Sequence, residues 1–223
     1  ALEGLRIDAG VETGSVISPF YDSMIAKLIT HGADRAEAIT RLGTALEETV
    51  VAGPKTNAAF LHALAMHPAF RQGEMDTGLI ERELAQLAPA SLNATAVGFG
   101  VMHMLWNAHD EAEVRRLEVS REGPSPWSAQ DAFQLGGARR QEVTVLVDGA
   151  AKKVEVCWGP DGPRATLLGE DGAASGEPRH LRVVGDGDPL YVLCDMRQIE
   201  LAWPTFDAGA IEDASNGGSV RAP

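Results

Sequence analysis

Six short runs of alternating apolar and polar residues fill the second half of this 223-residue chain and constrain its fold more than any other feature. Period-two alternation is typical of β-strands with one buried face, and the Asp-Gly-rich turns between the runs favour antiparallel hairpins. The sequence therefore predicts an antiparallel sheet. Its strands are expected in QEVTVLV (141–147), KKVEVCW (152–158), PRATLLG (163–169), RHLRVVG (179–185), PLYVLCD (189–195) and RQIELAW (197–203).

An apolar segment, Ala94–Ala108, precedes these strands and has no polar face. Because a helix that is apolar on every side must be covered on every side, we expect the strands to form an antiparallel barrel or a strongly curled sheet around it. A sheet with the helix on one face is the alternative. The segment is too short for the roughly 20 residues of a membrane-spanning helix, and His103 interrupts it. Its Gly98-Phe99-Gly100 pattern favours close packing over phosphate binding.

The first 90 residues alternate strand-like and helix-like patterns and predict an α+β arrangement. A short β-compatible run covers Met24–Thr30. Asp34 and Glu37 have the spacing of a capping box, which predicts a helix over 35–48. Two further helices are expected, one that follows Pro-Lys-Thr-Asn and buries Phe60, Leu61 and Leu64, and one that begins near Asp76 and buries Leu79, Ile80, Leu84 and Leu87.

Composition excludes some classes of partner. The formal charge of −13 disfavours binding to nucleic acid or an anionic membrane surface. Cys157 and Cys194 lie in no CxxC motif and near no histidine cluster, which favours a reducing compartment. The opening ALEGLRIDAG lacks the pattern of a secretory signal, so a cytoplasmic location is the simplest expectation.

Six motifs occur in order in the first part of the chain: GLRID (4–8), SPFYDSMIAKL (18–28), HGADRAEAITRL (31–42), VAGPKTN (51–57), AAFLHAL (58–64) and HPAFRQGEMDTGLIERE (67–83). In this order they resemble the C-terminal part of the biotin carboxylase domain in the biotin-bearing subunit of acyl-CoA carboxylases. Within that family they look most like 3-methylcrotonyl-CoA carboxylase, with propionyl- and geranyl-CoA carboxylases as near alternatives.

The resemblance continues into the second part. GPSPWSAQDAFQL (123–135) is similar to the stretch that opens the BT domain, which joins such subunits to their carboxyltransferase partner, and GGSVRAP (217–223) is similar to the junction with the biotinyl carrier domain. The resemblance implies a piece of the C-terminal lobe of an ATP-grasp biotin carboxylase over 1–89. A BT domain, with an antiparallel barrel around a central helix, is implied over 90–206, and a linker over 207–223.

The resemblance also implies a chemistry. Biotin carboxylation needs ATP and magnesium, and then a cation that stabilises negative charge on biotin. Arg6 matches the arginine of the family's G-[VL]-R motif and is the candidate catalytic residue, since a guanidinium stays charged and directs several donors at an oxyanion. The alternative is an ordinary ion pair between Arg6 and Asp8.

Other parts of that chemistry are not visible in the sequence. We find no Gly-rich phosphate loop, no recognisable magnesium-binding glutamates and no Met-Lys-Met biotinylation motif. ATP, magnesium and the biotin-bearing carrier are therefore expected to belong to other segments, and this piece is expected to be inactive alone. Lys27 is expected to reach the surface of the lobe.

A second hypothesis treats the chain as a docking module for the carboxyltransferase (beta) subunit, without any catalytic contribution. Trp127 and Phe133 are the candidate contacts, because aromatic anchors dominate protein interfaces. The alternative is that both side chains plug the barrel. A third possibility is an unrelated α+β protein whose β-domain binds a small ligand.

Overall fold

The computed structural model describes residues 2–18, 20, 22–87, 92–119, 139–159, 162–169, 178 and 180–205, without the side chains of 113 and 116–119. The first part of the chain forms a two-stranded antiparallel ribbon followed by four helices. The elements are β1 (Leu5–Ala9), β2 (Ala26–Thr30), α1 (Arg35–Glu48), α2 (Ala58–Met66), α3 (Pro68–Gln72) and α4 (Leu79–Leu87).

The cap predicted at the start of α1 is present, with its second bond shifted by one residue. The Glu37 backbone N–H donates to Asp34 Oδ1 at 2.9 Å, which satisfies a donor that the first turn of a helix otherwise leaves unpaired. Glu37 Oε2 accepts from the backbone N–H of Ala33, the residue before the N-cap, at 2.6 Å, where a capping box would use the Asp34 N–H. The predicted bounds of α1 agree with the structure, and Ile39 and Leu46 are buried as their spacing predicts.

Strand β2 begins two residues later than predicted. The Met24 backbone N–H donates to Asp22 Oδ1 at 3.0 Å, which closes a local turn before the strand starts at Ala26. The ladder with β1 then runs from the Ala9–Ala26 pair to the Leu5–Thr30 pair.

The predicted burial of several large side chains in the other helices is wrong. Gly43 of α1 lies against the end of Met66, and the buried residues of α2 are the small Ala58 and Ala65. Small residues at the contact between α1 and α2 therefore allow the two helices to approach closely. As a result Phe60 and Leu64 are only half-buried and Leu61 is exposed, and on α4 Leu79 and Leu87 are buried whereas Ile80 and Leu84 are exposed.

The second part is one long helix against a six-stranded antiparallel sheet, and all six predicted strands are present. The strand order is β5-β4-β3-β8-β7-β6. Sequential hairpins join β3 to β4, β4 to β5, β6 to β7 and β7 to β8, and β3 also pairs with β8. The elements are α5 (Ala94–Val119), β3 (Arg139–Val147), β4 (Ala150–Gly159), β5 (Gly162–Leu167), β6 (Leu181–Val184), β7 (Leu190–Cys194) and β8 (Arg197–Ala202).

Two glycines of α5 reveal how the sheet curls. A Cβ at Gly98 would collide with the backbone carbonyl of Ala165 in β5, whereas a Cβ at Gly100 would collide with Leu201 in β8 and with Val192 in β7. Residues two apart on a helix point to nearly opposite sides. Strands from distant positions in the sheet therefore lie on opposite sides of α5 at one level, which makes the sheet a half-barrel curled around the helix.

The predicted curled sheet around α5 is confirmed, although it does not cover the helix on every side. Val97 and Val101 are fully buried, but Phe99 is 46% exposed and Trp106 is 54% exposed. These two side chains lie seven residues apart on one helix face. In the described residues the half-barrel leaves that face open, and an all-apolar sequence alone does not distinguish a closed barrel from an open one.

The two parts of the chain meet at the end of the β7–β8 hairpin. Gln198 Nε2 donates to the Gly53 carbonyl at 2.9 Å, and the Gly53 N–H donates to Gln198 Oε1 at 2.7 Å. Lys55 also forms an ion pair with Asp148, with 3.2 Å between Nζ and Oδ1. The loop before α2 is thereby held against the half-barrel.

Within the described residues, no helix combines the length and apolarity that crossing a membrane requires.

Substitution of Gly98 by alanine tests the curled packing. Although alanine favours helices, we expect Gly98→Ala to lower the free energy of unfolding by about 1–3 kcal/mol, because the added Cβ meets a backbone carbonyl that cannot rotate away. Urea denaturation followed by circular dichroism measures the change. The exposed Glu111→Ala on the same helix is the control and should stay within about 0.5 kcal/mol. Stabilisation by Gly98→Ala would contradict the packing.

Candidate functional site

The candidate catalytic residue lies on the β1–β2 ribbon. Side chains alternate across a strand, so Arg6 and Asp8 share one face. Leu28 and Thr30 lie on the other face, where Thr30 Oγ1 donates to the Ala38 carbonyl of α1 at 3.0 Å. Helix α1 therefore covers the back of the ribbon, and the face that carries Arg6 is open to solvent.

Arg6 and Asp8 form a two-point ion pair. Arg6 Nε donates to Asp8 Oδ1 at 2.8 Å, and Arg6 Nη2 donates to Asp8 Oδ2 at 2.9 Å. The Arg6 side chain is nevertheless 73% exposed. Because the pair is solvated, it contributes little to stability. The ion pair that the sequence offered as an alternative is present, and the catalytic role of Arg6 stays a prediction.

Lys27 reaches the surface as expected. It is exposed and pairs across the ribbon with Asp8, so the two side chains lie on the same face. The open face of the ribbon therefore carries two cations, Arg6 and Lys27, and one carboxylate, Asp8.

Exposed apolar side chains surround the ribbon. Val16 is 96% exposed and Phe20 is 95% exposed. Among the described residues, each of the two strands has a partner on one edge only. Open strand edges and clustered exposed apolar side chains mark surfaces that other protein segments cover. The other exposed apolar residues of this region are Ile7, Ile17, Met24 and Ile29.

The second candidate region lies outside the described residues. Trp127 and Phe133, the predicted docking residues, belong to the segment 120–138, for which the structure gives no description. The predicted boundaries near residue 89 and near 206 also lie outside it, so the division into domains stays a prediction.

Two cavities of about 610 and 700 Å³ lie between the helices of the first part and the β7–β8 hairpin. Met196 and Gln198 line both of them. Asp195 and Met196 both have positive φ angles, of 48° and 64°, as the two central residues of a type I′ turn require. Sequence reasoning missed this contact region because Gly53 and Gln198 are 145 residues apart and carry no shared motif.

Cys194 and Arg197 flank that turn, and burial shifts the pKa of each. Loss of solvation and the nearby Asp195 carboxylate raise the pKa of the Cys194 thiol to about 11. Loss of solvation also lowers the pKa of Arg197. Cys194 is therefore protonated at neutral pH and unsuited to act as a nucleophile, since the thiolate is the reactive form. Both cysteines are free.

The described residues do not fit a site for ATP or magnesium. They contain no group of three or more His, Cys, Asp or Glu side chains that could hold a metal ion. The lone Gly98–Gly100 pattern packs against the sheet and is not available to cradle a phosphate. We therefore derive no step that uses either group.

Comparison with known proteins shows what the first part of the chain is similar to. Residues 1–82 match the family model described as "Biotin carboxylase C-terminal domain". This part of the chain, which contains Arg6 and the open ribbon, is thus similar to the C-terminal domain of biotin carboxylases, as the sequence motifs predicted.

Three curated relatives cover different lengths of the chain. The alpha subunit of methylcrotonoyl-CoA carboxylase from Dictyostelium discoideum is 28% identical over 195 residues, or 86% of this chain. The propionyl-CoA carboxylase alpha chain of Mus musculus is 42% identical over 172 residues, or 70% of this chain. The biotin carboxylase of Halalkalibacterium halodurans is 42% identical over 82 residues, or 37% of this chain.

The chain spans only 26%, 24% and 18% of the lengths of these three relatives. The first two alignments extend well past residue 82, into the half-barrel. All three relatives are named as carboxylases, but the names of the first two give different acyl-CoA substrates. The comparisons therefore support the carboxylase family and leave the acyl-CoA undecided.

Thiol modification tests the environment of Cys194. With iodoacetamide at pH 8, we expect Cys157, which is half-buried, to be alkylated before Cys194, because a pKa of about 11 and burial keep the Cys194 thiolate scarce. Mass spectrometry of tryptic peptides measures both rates. In urea the two rates should become similar. Equal rates in the folded protein would contradict the structure.

Proposed function

We propose that this chain is part of the biotin carboxylase subunit of an acyl-CoA carboxylase, an enzyme that carboxylates biotin with ATP and bicarbonate for transfer to an acyl-CoA. The observation that carries the proposal is Arg6, which lies within the matched residues 1–82 on the solvent-open face of the ribbon. The open edges of β1 and β2 support the same proposal, because they suit a larger carboxylase lobe whose strands extend this ribbon.

In this proposal Arg6 acts by electrostatics. When bound, biotin would supply a ureido nitrogen that attacks carbon dioxide after losing its proton, and the negative charge left by that proton would lie largely on the ureido oxygen until the attack. Arg6 donates N–H groups towards that oxygen, and its charge does not depend on pH in the working range. ATP, magnesium and the biotinyl carrier domain are placed in segments other than the described residues. By itself, the present chain is proposed to be inactive.

The half-barrel is proposed to be the BT domain, which docks on the carboxyltransferase (beta) subunit. Two observations support this part of the proposal. Relatives named as alpha subunits or chains align beyond residue 82, and Phe99 and Trp106 leave an apolar strip on the open face of α5. The acyl-CoA is proposed to be 3-methylcrotonyl-CoA or a similar substrate, in the cytoplasm of a bacterium or in the mitochondrial matrix of a eukaryote.

The second candidate function is docking without any catalytic contribution. The Arg6–Asp8 pair is compatible with docking alone, because exposed ion pairs of this kind are common on protein surfaces and need no catalytic role. The two functions differ in what they require of Arg6, and substitution of that residue separates them.

Arg6→Ala in the complete subunit tests the catalytic proposal. We expect the biotin-dependent carboxylation rate to fall on the order of 10²- to 10³-fold, because a preorganised cation for the developing oxyanion is removed. Bicarbonate-dependent ATP turnover with free biotin measures the rate. Arg82→Ala, which removes another exposed arginine paired with an aspartate, is the matched control and should leave the rate unchanged. An active Arg6→Ala enzyme would leave docking as the only function.

Trp127→Ala tests the docking proposal. We expect the affinity for the cognate carboxyltransferase subunit to fall on the order of tenfold or more, as for an aromatic interface anchor, with the melting temperature unchanged. Surface plasmon resonance measures the affinity, Phe133→Ala repeats the test at the second predicted contact, and the exposed Glu81→Ala on α4 is the control. A lowered melting temperature would instead assign Trp127 to the interior of the half-barrel.

A further inference from the structure

The Arg6–Asp8 contact has a particular geometry. A guanidinium has two edges that can bind an oxyanion at two points, one formed by Nε and Nη2 and the other by Nη1 and Nη2. Asp8 occupies the first edge, with bonds of 2.8 and 2.9 Å. The second edge, with one N–H donor from Nη1 and one from Nη2, stays free of Asp8, and the Arg6 side chain is largely exposed.

We propose that Asp8 is a positioning residue, which holds the Arg6 guanidinium so that its Nη1–Nη2 edge faces the oxygen of biotin that becomes negative during carboxylation. This inference rests on the proposed function, because it requires Arg6 to act in carboxylation. It adds to that function a second residue, which makes no contact with the reacting atoms.

An arginine on an open strand face needs such a partner. Its side chain has several rotatable bonds and loses much conformational freedom when it is held in one orientation. Two parallel hydrogen bonds to one carboxylate determine both the plane and the direction of the guanidinium. Asp8 can supply them because it lies two residues along the same strand, on the same face, and the ladder with β2 holds that strand in register.

The surroundings of the pair agree with an anion-binding role. Lys27 is directly opposite Asp8 on β2 and on the same face, so this face of the ribbon carries a second cation. Arg6 and Lys27 are positively charged and Asp8 is negatively charged, so the three side chains together keep a net positive charge. Because Asp8 occupies only the Nε–Nη2 edge, Arg6 can keep this partner and still donate to an oxyanion from the Nη1–Nη2 edge.

Stability does not account for the arrangement. An exposed ion pair contributes little to folding, whereas a change in the direction of a catalytic donor strongly affects rate. Removing the Asp8 carboxylate should therefore leave the fold intact and change the chemistry.

The experiment uses the complete biotin carboxylase subunit that contains this sequence, with free biotin, bicarbonate and ATP. We expect Asp8→Asn to lower the biotin-dependent kcat on the order of tenfold, with little change in the KM for ATP or in the melting temperature. Asp8→Glu, which restores a carboxylate, should recover most of the rate. The matched control is Asp76→Asn, which removes the carboxylate of the exposed Asp76–Arg82 pair and should leave kcat unchanged.

A double-mutant cycle shows whether Asp8 acts through Arg6. In an Arg6→Lys background, where the side chain lacks a planar fork, Asp8→Asn should reduce kcat by less than about twofold. A tenfold reduction in that background, or an equal loss in Asp76→Asn, would overturn the positioning role. So would wild-type or raised activity of Asp8→Asn. Failure of the proposed function itself is a separate outcome: in that case the Arg6→Ala enzyme would keep full activity.

Discussion

Close contact between helix α5 and the sheet is the constraint on which the half-barrel depends. Gly98 lets the helix backbone approach β5, and Gly100 lets it approach β7 and β8 on the opposite side. Side chains at either position would separate the helix from the strands and open the core. The fully buried residues Val145, Val154, Val156, Val192, Leu190 and Leu201 fill the remaining space between helix and sheet.

The same hairpin that packs on α5 also connects the half-barrel to the first part of the chain. Gln198 lies at the start of β8, and its side-chain amide hydrogen-bonds both the N–H and the carbonyl of Gly53. These are the two backbone groups that a neighbouring strand would otherwise pair. Gly53 has a φ of 103°, which favours glycine at that position. A module that docks a partner subunit would thus be held in a defined position relative to the ribbon that carries Arg6.

Much of the fold could be predicted from local patterns. The capping box at Asp34 located the start of α1, and alternation located all six strands of the half-barrel, because both signals lie within a few residues. Burial in α2 and α4 could not be predicted in this way. Leu61, Ile80 and Leu84 have the spacing of core residues, but their exposure depends on which neighbours approach, and that is a property of the tertiary structure. The same holds for the candidate site. A local motif predicted Arg6 as the candidate residue, whereas the edge of the guanidinium that Asp8 binds depends on side-chain directions and could not be predicted.

The sequence by itself determined the bounds of α1, the six strands of the half-barrel, the resemblance to biotin carboxylases and the identity of the candidate arginine, because these depend on residue type and short-range spacing. Only the tertiary structure decided that Phe99 and Trp106 are exposed on a face that the described strands leave open, that Gln198 binds Gly53, and that the Nη1–Nη2 edge of Arg6 is free of Asp8. These features depend on distances between segments far apart in the chain and on side-chain directions, which the order of the residues does not specify locally.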